Sequence, residues 1–483
     1  MATWAPPKPS TTGATQLDRY FHITERGSTV RTEVMAGLAT WLTMVYIVFV
    51  NPATLGAAGA DRTGVALPFG QILTVTALVA GILCLAMGLY ANYPFALAAG
   101  LGLNAFVAFT LVVGYKLTWR EAMGVVVIEG LVITFFVLTG LRETIMNAIP
   151  MDLKRAIGIG IGAFIAFIGL SVGCNTPGDG CHGIVLSGGP TTFVALNPNL
   201  STLRVLVFVV GLALTATLVA RRVKGSLLFG IVITTIFATL LNHIWGHKAI
   251  WPVDAYGATA TLPNKWVSAP HFDLVGKFNF GVFDTLAIGT AIAIILAVML
   301  SDFFDTMGTV VGIAGKAGLL DKDGKLPGMN RVLLVDSLGA AAGGAASASS
   351  NTTYIESAAG VAEGGRTGLT SIVVGILFLL MLFISPLAGT IPPEATAPVL
   401  VLVGYFMMTI VKDIDWQDPA IGIPCLLIIV MMPFTFSITN GVGAGFIAYT
   451  VIRILQGRGR DVHWLMLLVS VVFGWYFWHG LLA

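Results

Sequence analysis

Residues 92–114 read NYPFALAAGLGLNAFVAFTLVVG and residues 340–364 read AAAGGAASASSNTTYIESAAGVAEG. Each opens on a short extended-looking piece, led by Pro94 in the first and rich in small residues in the second. Each then passes through polar residues into a helical piece. Both stretches lie among long apolar runs. A backbone that stops being regular inside a membrane leaves N–H and C=O groups without partners. Such a backbone is tolerated only where it is buried in protein or lines a cavity. Two interrupted membrane segments in one chain are a pointer to a transporter's binding site.

The rest of the chain agrees with that setting. It has 483 residues, of which 56% are hydrophobic and 10% charged, against about 25% charged in an ordinary soluble domain. So few charges cannot cover a globule of this size. The composition excludes a soluble globular enzyme, a disordered chain and a nucleic-acid binder. It leaves an all-α polytopic membrane protein with lipid as its surroundings. The apolar runs are continuous rather than alternating, which excludes a β-barrel. No short apolar segment with a small-residue cleavage site precedes the first run, so that run is expected to be retained. The 57 glycines fit close helix packing.

Ordinary membrane-length runs fall at about 34–55, 69–91, 119–140, 151–172, 202–220, 225–244, 284–308, 329–346, 368–389, 395–411, 419–437, 439–456 and 463–482. Similarities in a fixed order pair the halves. TIPPEATAPVLVLVGYF from Thr390 echoes AIPMDLKRAIGIGIGAF from Ala148, and NGVGAGFIAYTVIRIL from Asn440 echoes KGSLLFGIVITTIFATL from Lys224. The two broken stretches pair with each other, and the run after Ala39 pairs with the run after Ala297. Seven segments therefore repeat as seven, and an odd number per repeat makes the second copy insert upside down. Fourteen spans result, with spans 3 and 10 broken and 463–482 as an extra C-terminal helix. With a cytoplasmic N-terminus, 19 of the 26 Lys and Arg lie inside and 7 outside, as the positive-inside rule asks. The 173–200 loop then lies outside. It carries CNTPGDGC, whose Cys174 and Cys181 either bridge or stay two free thiols. Cys84 and Cys425 fall in apolar runs and read as small packing residues. No Cys/His cluster of the metal-binding type is present.

Ionisable groups inside spans are costly and are candidates for function. Asp302 and Asp305 sit in SDFFDTMGT, three apart and so expected on one helix face near the end of the 284–308 run. Glu356 sits at the second break. No Lys or Arg lies at mid-span to neutralise these groups, so some are expected to cycle protons. Glu129 and Asp336 read as structural carboxylates. Asn104 is the first strongly polar side chain of the first broken segment and a near counterpart of Glu356. An amide offers a donor and an acceptor where a carboxylate offers acceptors. That mixture suits a neutral planar ligand with alternating donors and acceptors, such as a nucleobase, and repels an inorganic anion. Thr353 beside the break and the ring of Phe303 join the candidate binding set. Phe304, Phe106 and Tyr354 are further rings able to stack. An intramembrane aspartyl protease would need its two aspartates on different helices sharing a proton, and Asp302 and Asp305 share one helix. DKDGK at 321–325 begins like a calcium loop but has Val332 where the bidentate Glu belongs.

At SDFFDTMGT, SSNTTYIESAAG and GGRTG, with GLGLNAF upstream, the chain resembles the nucleobase–cation symporters of the xanthine/uracil permease type. Within them it resembles the AzgA-like branch of adenine/guanine/hypoxanthine permeases. The likeness runs from the leader DRYFHITERGSTVRTEVMAGLATWLTMVYIVFVNP to the tail. It implies short β-strands at the starts of spans 3 and 10. It implies a core domain in two parts, 33–140 (spans 1–4) and 284–389 (spans 8–11), and a gate domain in two parts, 141–246 (spans 5–7) and 390–456 (spans 12–14). A cytoplasmic leader (1–32), an extracellular loop (247–283) and the extra helix (457–483) complete the chain. The family's essential residues carry over to Asp302, Glu356 and Asn104, and Asp305 matches the purine-branch motif. The uracil and xanthine branches usually have Glu and His in span 8 where this chain has Asp302 and Thr306, a departure that favours the purine branch. The expectation is a non-enzymatic importer of purine nucleobases in a cell membrane, multi-pass, coupled to protons rather than to a cofactor. It would work by alternating access and form homodimers through its gate domains. Substrate-binding residues would be Glu356, Asn104, Asp302, Thr353 and Phe303, and proton-coupling residues Asp302, Asp305 and Glu356. A uracil/xanthine-type permease and an anion transporter are the alternatives within the fold.

Overall fold

The computed structural model describes residues 16–140, 148–171, 183–187, 194–197, 199–245, 250–251, 260–262, 265–321, 326–388 and 390–482. Cys174, Cys181 and most of DKDGK lie outside the described residues. Fifteen principal helices follow in order. They are α1 (Val30–Gly56), α2 (Phe69–Ala91), α3 (Leu101–Gly114), α4 (Trp119–Thr139), α5 (Met151–Leu170), α6 (Leu203–Ala220) and α7 (Ser226–Ile244). After a long loop come α8 (Ile288–Ala317), α9 (Met329–Ala345), α10 (Ser357–Ala362), α11 (Gly368–Phe383), α12 (Pro393–Met408), α13 (Pro419–Thr435), α14 (Ile438–Leu455) and α15 (Trp464–Leu482). Among the described residues nine helices are long and apolar enough to cross a membrane.

The breaks stand where the sequence puts them. Strand β1 (Leu97–Ala99) precedes α3, and β4 (Asn351–Thr353) precedes α10; β2 (Val185–Ser187) and β3 (Val194–Leu196) form a separate hairpin in the 173–200 loop. β1 and β4 pair antiparallel, Leu97 with Thr353 and Ala99 with Asn351. Gly100 N–H to the Ser350 carbonyl and Tyr354 N–H to the Ala96 carbonyl extend the ladder at its two ends. A two-stranded ladder has two outer edges, and in an apolar interior each needs a partner. Cys84 on α2 serves the β1 edge: its thiol donates to the Leu97 carbonyl (3.3 Å) and its sulfur accepts from Leu97 N–H (3.2 Å). Asp336 on α9 serves the β4 edge: Thr353 N–H and the Thr353 hydroxyl both donate to Oδ1 at 2.8 Å. Span 2 and span 9 are counterparts in the repeat, so one role is filled twice by different chemistry. Cys84 is thus more than the packing residue expected of it.

Glycine sets the helix crossings in both halves. α2 meets α11 at Gly81 against Gly375 and at Gly88 against Gly368. A β-carbon on Gly368 would stand 2.1 Å from the Gly88 carbonyl oxygen. The counterpart crossing of α4 with α9 uses Gly130 against Ala341 N (2.3 Å) and Gly344 against Val127 N (2.8 Å). α5 meets its own counterpart α12 at Gly162 and Gly404. At the leader end, Glu33 is buried and accepts from Arg366 N–H, Thr367 N–H and the Thr370 hydroxyl. It thereby caps the first turn of α11 and joins the leader motif to GGRTG.

α8 departs from its expected bounds. It runs to Ala317, past Gly308, Gly312 and Gly315, and stops at Gly318, whose φ of 66° gives the left-handed cap that ends helices. SDFFDTMGT therefore lies at the middle of a 30-residue helix rather than near its end.

Candidate substrate site

Glu356 follows β4 at the start of α10 and is partly buried. The Tyr46 hydroxyl on α1 donates to its Oε1 at 2.6 Å, which fixes the carboxylate's direction. Beside it Ile355 is exposed. Asn104 stands one turn into α3 beyond β1. It is fully buried, and neither its Oδ1 nor its Nδ2 has a hydrogen-bond partner. A buried amide normally finds partners, because leaving one unmade costs about 1–3 kcal/mol. Both side-chain atoms thus keep hydrogen-bonding capacity that the protein itself leaves unused.

Asp302 and Asp305 do not share surroundings, as the spacing led one to expect. Three residues along a helix is a turn of about 300°, which leaves the side chains about 60° apart. Asp302 is buried and accepts from the Ser350 hydroxyl at 3.0 Å. Asp305 is exposed, on a strip of α8 that also exposes Gly308 and Gly312, where nothing would meet an added β-carbon. The strip therefore borders an opening. Asp305 lies near Glu356 and Asp336. Thr353 is held away from that opening, its hydroxyl committed to Asp336, and Phe303 is buried. Tyr354 turns back and donates to the Ala99 carbonyl, bracing β1 rather than offering its ring.

Sequence reading missed Tyr46 and left Glu129 and Asp336 as structural acids. Tyr46, Asp336 and Glu129 each reach the region from a different helix. Tyr46 orients Glu356. Asp336 ties β4 to α8 through Thr353 and the Thr306 hydroxyl (2.7 Å). Glu129 is buried against Asp302 and Ser350. A carboxylate at the midpoint of a span, away from the charges near its end, was the signal for the two acids. Tyr46 carried none.

Comparison with known proteins fits this architecture. The Permease family model, of the xanthine/uracil type, matches residues 31–443. The chain is 39% identical to the adenine permease AdeP of Escherichia coli (strain K12), over 96% of either chain. It is 38% identical to the guanine/hypoxanthine permease PbuG of Bacillus subtilis (strain 168), over 95% of this chain and 99% of that one. Among solved structures, the transmembrane domain of a cyanobacterial bicarbonate transporter, BicA, superposes with a TM-score of 0.59 at 15% identity, over 86% of this chain and 97% of that one. That likeness shows the fold, a seven-plus-seven inverted repeat. A family match over most of the chain, close relatives over its whole length and the paired breaks agree that this multi-pass membrane protein is a transporter and not an enzyme, and that it belongs to the Permease family of the xanthine/uracil type.

Proposed function

We propose that the protein imports purine nucleobases, adenine, guanine or hypoxanthine, by proton symport. The observation that carries the reading is Asn104, whose buried side-chain amide has no partner at the head of one half-helix. Glu356, held by Tyr46 at the head of the other, complements it. A purine edge presents donors and acceptors side by side. An amide on one side and a carboxylate on the other match it. The purine permeases among the relatives support the same class. The shared fold with a bicarbonate transporter does not carry over its anion, since Glu356 and Asp305 put acidic groups beside the opening.

Transport would proceed by alternating access. Helices α1–α4 and α8–α11 form the core, and α5–α7 with α12–α14 form the gate. The glycine-based crossings of α2 with α11 and α4 with α9 favour a core moving as a unit, and that of α5 with α12 does the same for the gate. The open strip at Asp305, Gly308 and Gly312 runs toward the end of α8 that the basic residues assign to the cytoplasm. The N-terminus would be cytoplasmic. Exposed apolar residues such as Val209, Phe229, Ile236 and Leu240 on α6 and α7 would face lipid or a second copy. Uptake of radiolabelled adenine, guanine and hypoxanthine into cells lacking their own permeases tests the substrate class. Saturable uptake competed by purines is expected. Equal competition by uracil would reassign the protein to a pyrimidine substrate.

A further inference from the structure

Glu129 stands at the midpoint of α4, with 0% of its surface exposed and no hydrogen-bond partner for Oε1 or Oε2. Its carboxyl faces Asp302 and Ser350. Asp302 is 1% exposed; its Oδ2 accepts from Ser350, and its Oδ1 has no partner. Ser350 lies beside both acids with a single hydroxyl proton, which the geometry gives to Asp302 Oδ2, so the three other carboxylate oxygens, from two helices, are left without one of their own. Asp336 on α9 adds its charge to both groups, and Asp305 adds its own to Asp302 from the next turn of α8. Among the described residues no Lys or Arg acts on either one.

Two adjacent carboxylates in a water-poor interior cannot both stay ionised. One proton resolves the conflict. It turns one group into an O–H donor and leaves the other an acceptor, so that the orphaned oxygens satisfy each other. We propose that Glu129 and Asp302 form a shared-proton carboxyl pair and that this pair, with Glu129 as its unrecognised half, carries the coupled proton. The inference rests on the proton-symport reading and adds a residue to it. The bookkeeping is one proton bound to the doubly ionised pair from the outside and one released inside, with only an O–H bond made and broken. Ser350 links the pair to the substrate site. Its hydroxyl holds Asp302, it precedes β4, and its carbonyl accepts the N–H of Gly100, which begins the half-helix bearing Asn104. Glu129 touches no substrate in this scheme; it acts through Asp302 and Ser350.

The test uses purified full-length protein in proteoliposomes, with three readouts. These are purine counterflow without a pH gradient, accumulation driven by an imposed pH gradient, and internal acidification by a trapped dye. Glu129→Gln is expected to keep counterflow while losing both gradient-driven accumulation and purine-dependent acidification. Glu129→Asp should restore part of the accumulation with a displaced pH profile. Glu129→Gln combined with Asp302→Asn should be no more defective in coupling than the worse single variant. Wild-type accumulation by Glu129→Gln overturns the pair. So does loss of counterflow in both Glu129→Gln and Glu129→Asp, since that would make the residue structural. If Asp302→Asn alone uncouples, symport stands and the pair is wrong. If the wild-type protein accumulates no purine under a pH gradient, the symport reading itself fails.

Discussion

The Tyr46 hydroxyl does for Glu356 what no donor does for Asn104. One side of the proposed site is braced in advance and the other is left open. Pre-orientation of a charged acceptor should show as affinity. Tyr46→Phe is expected to raise the apparent KM for purine uptake about 5- to 10-fold, the worth of roughly 1 kcal/mol of hydrogen bonding. Glu356→Gln should cost more, about 10- to 150-fold, because the lost interaction involves a charge. Uptake kinetics with surface-expression controls check both. An unchanged KM in Tyr46→Phe would mean that Glu356 does not meet the substrate. Residues of this kind were unevenly legible. Glu356 and Asn104 announce themselves as polar groups at breaks in apolar sequence. Glu129 and Asp336 looked like lone structural acids, because their meaning comes from convergence with Asp302, which no local spacing encodes. Asp302 and Asp305 looked equivalent because a three-residue spacing fixes a face only to within about 60°.

At the level of elements, the breaks were readable because a membrane leaves a chain few ways to stop being helical. What could not be read was who would satisfy the outer strand edges. A thiol does so on one side and a carboxylate on the other, and only the repeat relating α2 to α9 makes them the same role. The reach of α8 was also misjudged, since glycines that end soluble helices are tolerated in a membrane helix until one takes a left-handed cap at Gly318. The glycine crossings lead to a specific outcome. A β-carbon at Gly88 would stand 2.5 Å from the Gly368 carbonyl oxygen. Gly88→Val should therefore force α2 and α11 apart at a cost of about 1–3 kcal/mol or more. Gly308→Val, on the open strip of α8, should leave stability within about 0.5 kcal/mol. Thermal stability of the two purified variants by fluorescence-detected size exclusion distinguishes them. Equal loss in both would mean that the close crossing is not what holds the core.

For the whole molecule, the seven-plus-seven organisation followed from an odd repeat, and the charge bias predicts an orientation. The place of α15 did not follow from either. The structure sets it against α14 and α8: Trp475 packs on Gly289, and Tyr476 hydrogen-bonds both Asn440 (2.9 Å) and Tyr115. The extra helix thus touches elements of both proposed domains at the end that the charge count assigns to the outside. Cysteines placed in the 173–200 loop and after α15 are expected to react with an impermeant reagent from outside, and one placed before α1 is not. A tail reactive only from the cytoplasm would reverse the orientation or remove α15 from the membrane. The central claim is that the two breaks hold a purine base. Equilibrium binding of a radiolabelled purine to the purified protein tests it most directly, with wild type and Asn104→Ala side by side. The expected result is saturable binding, displaced by other purines and not by uracil, and weakened about 10-fold or more in Asn104→Ala. Undiminished purine binding by Asn104→Ala, or no saturable binding by the wild-type protein, would contradict it.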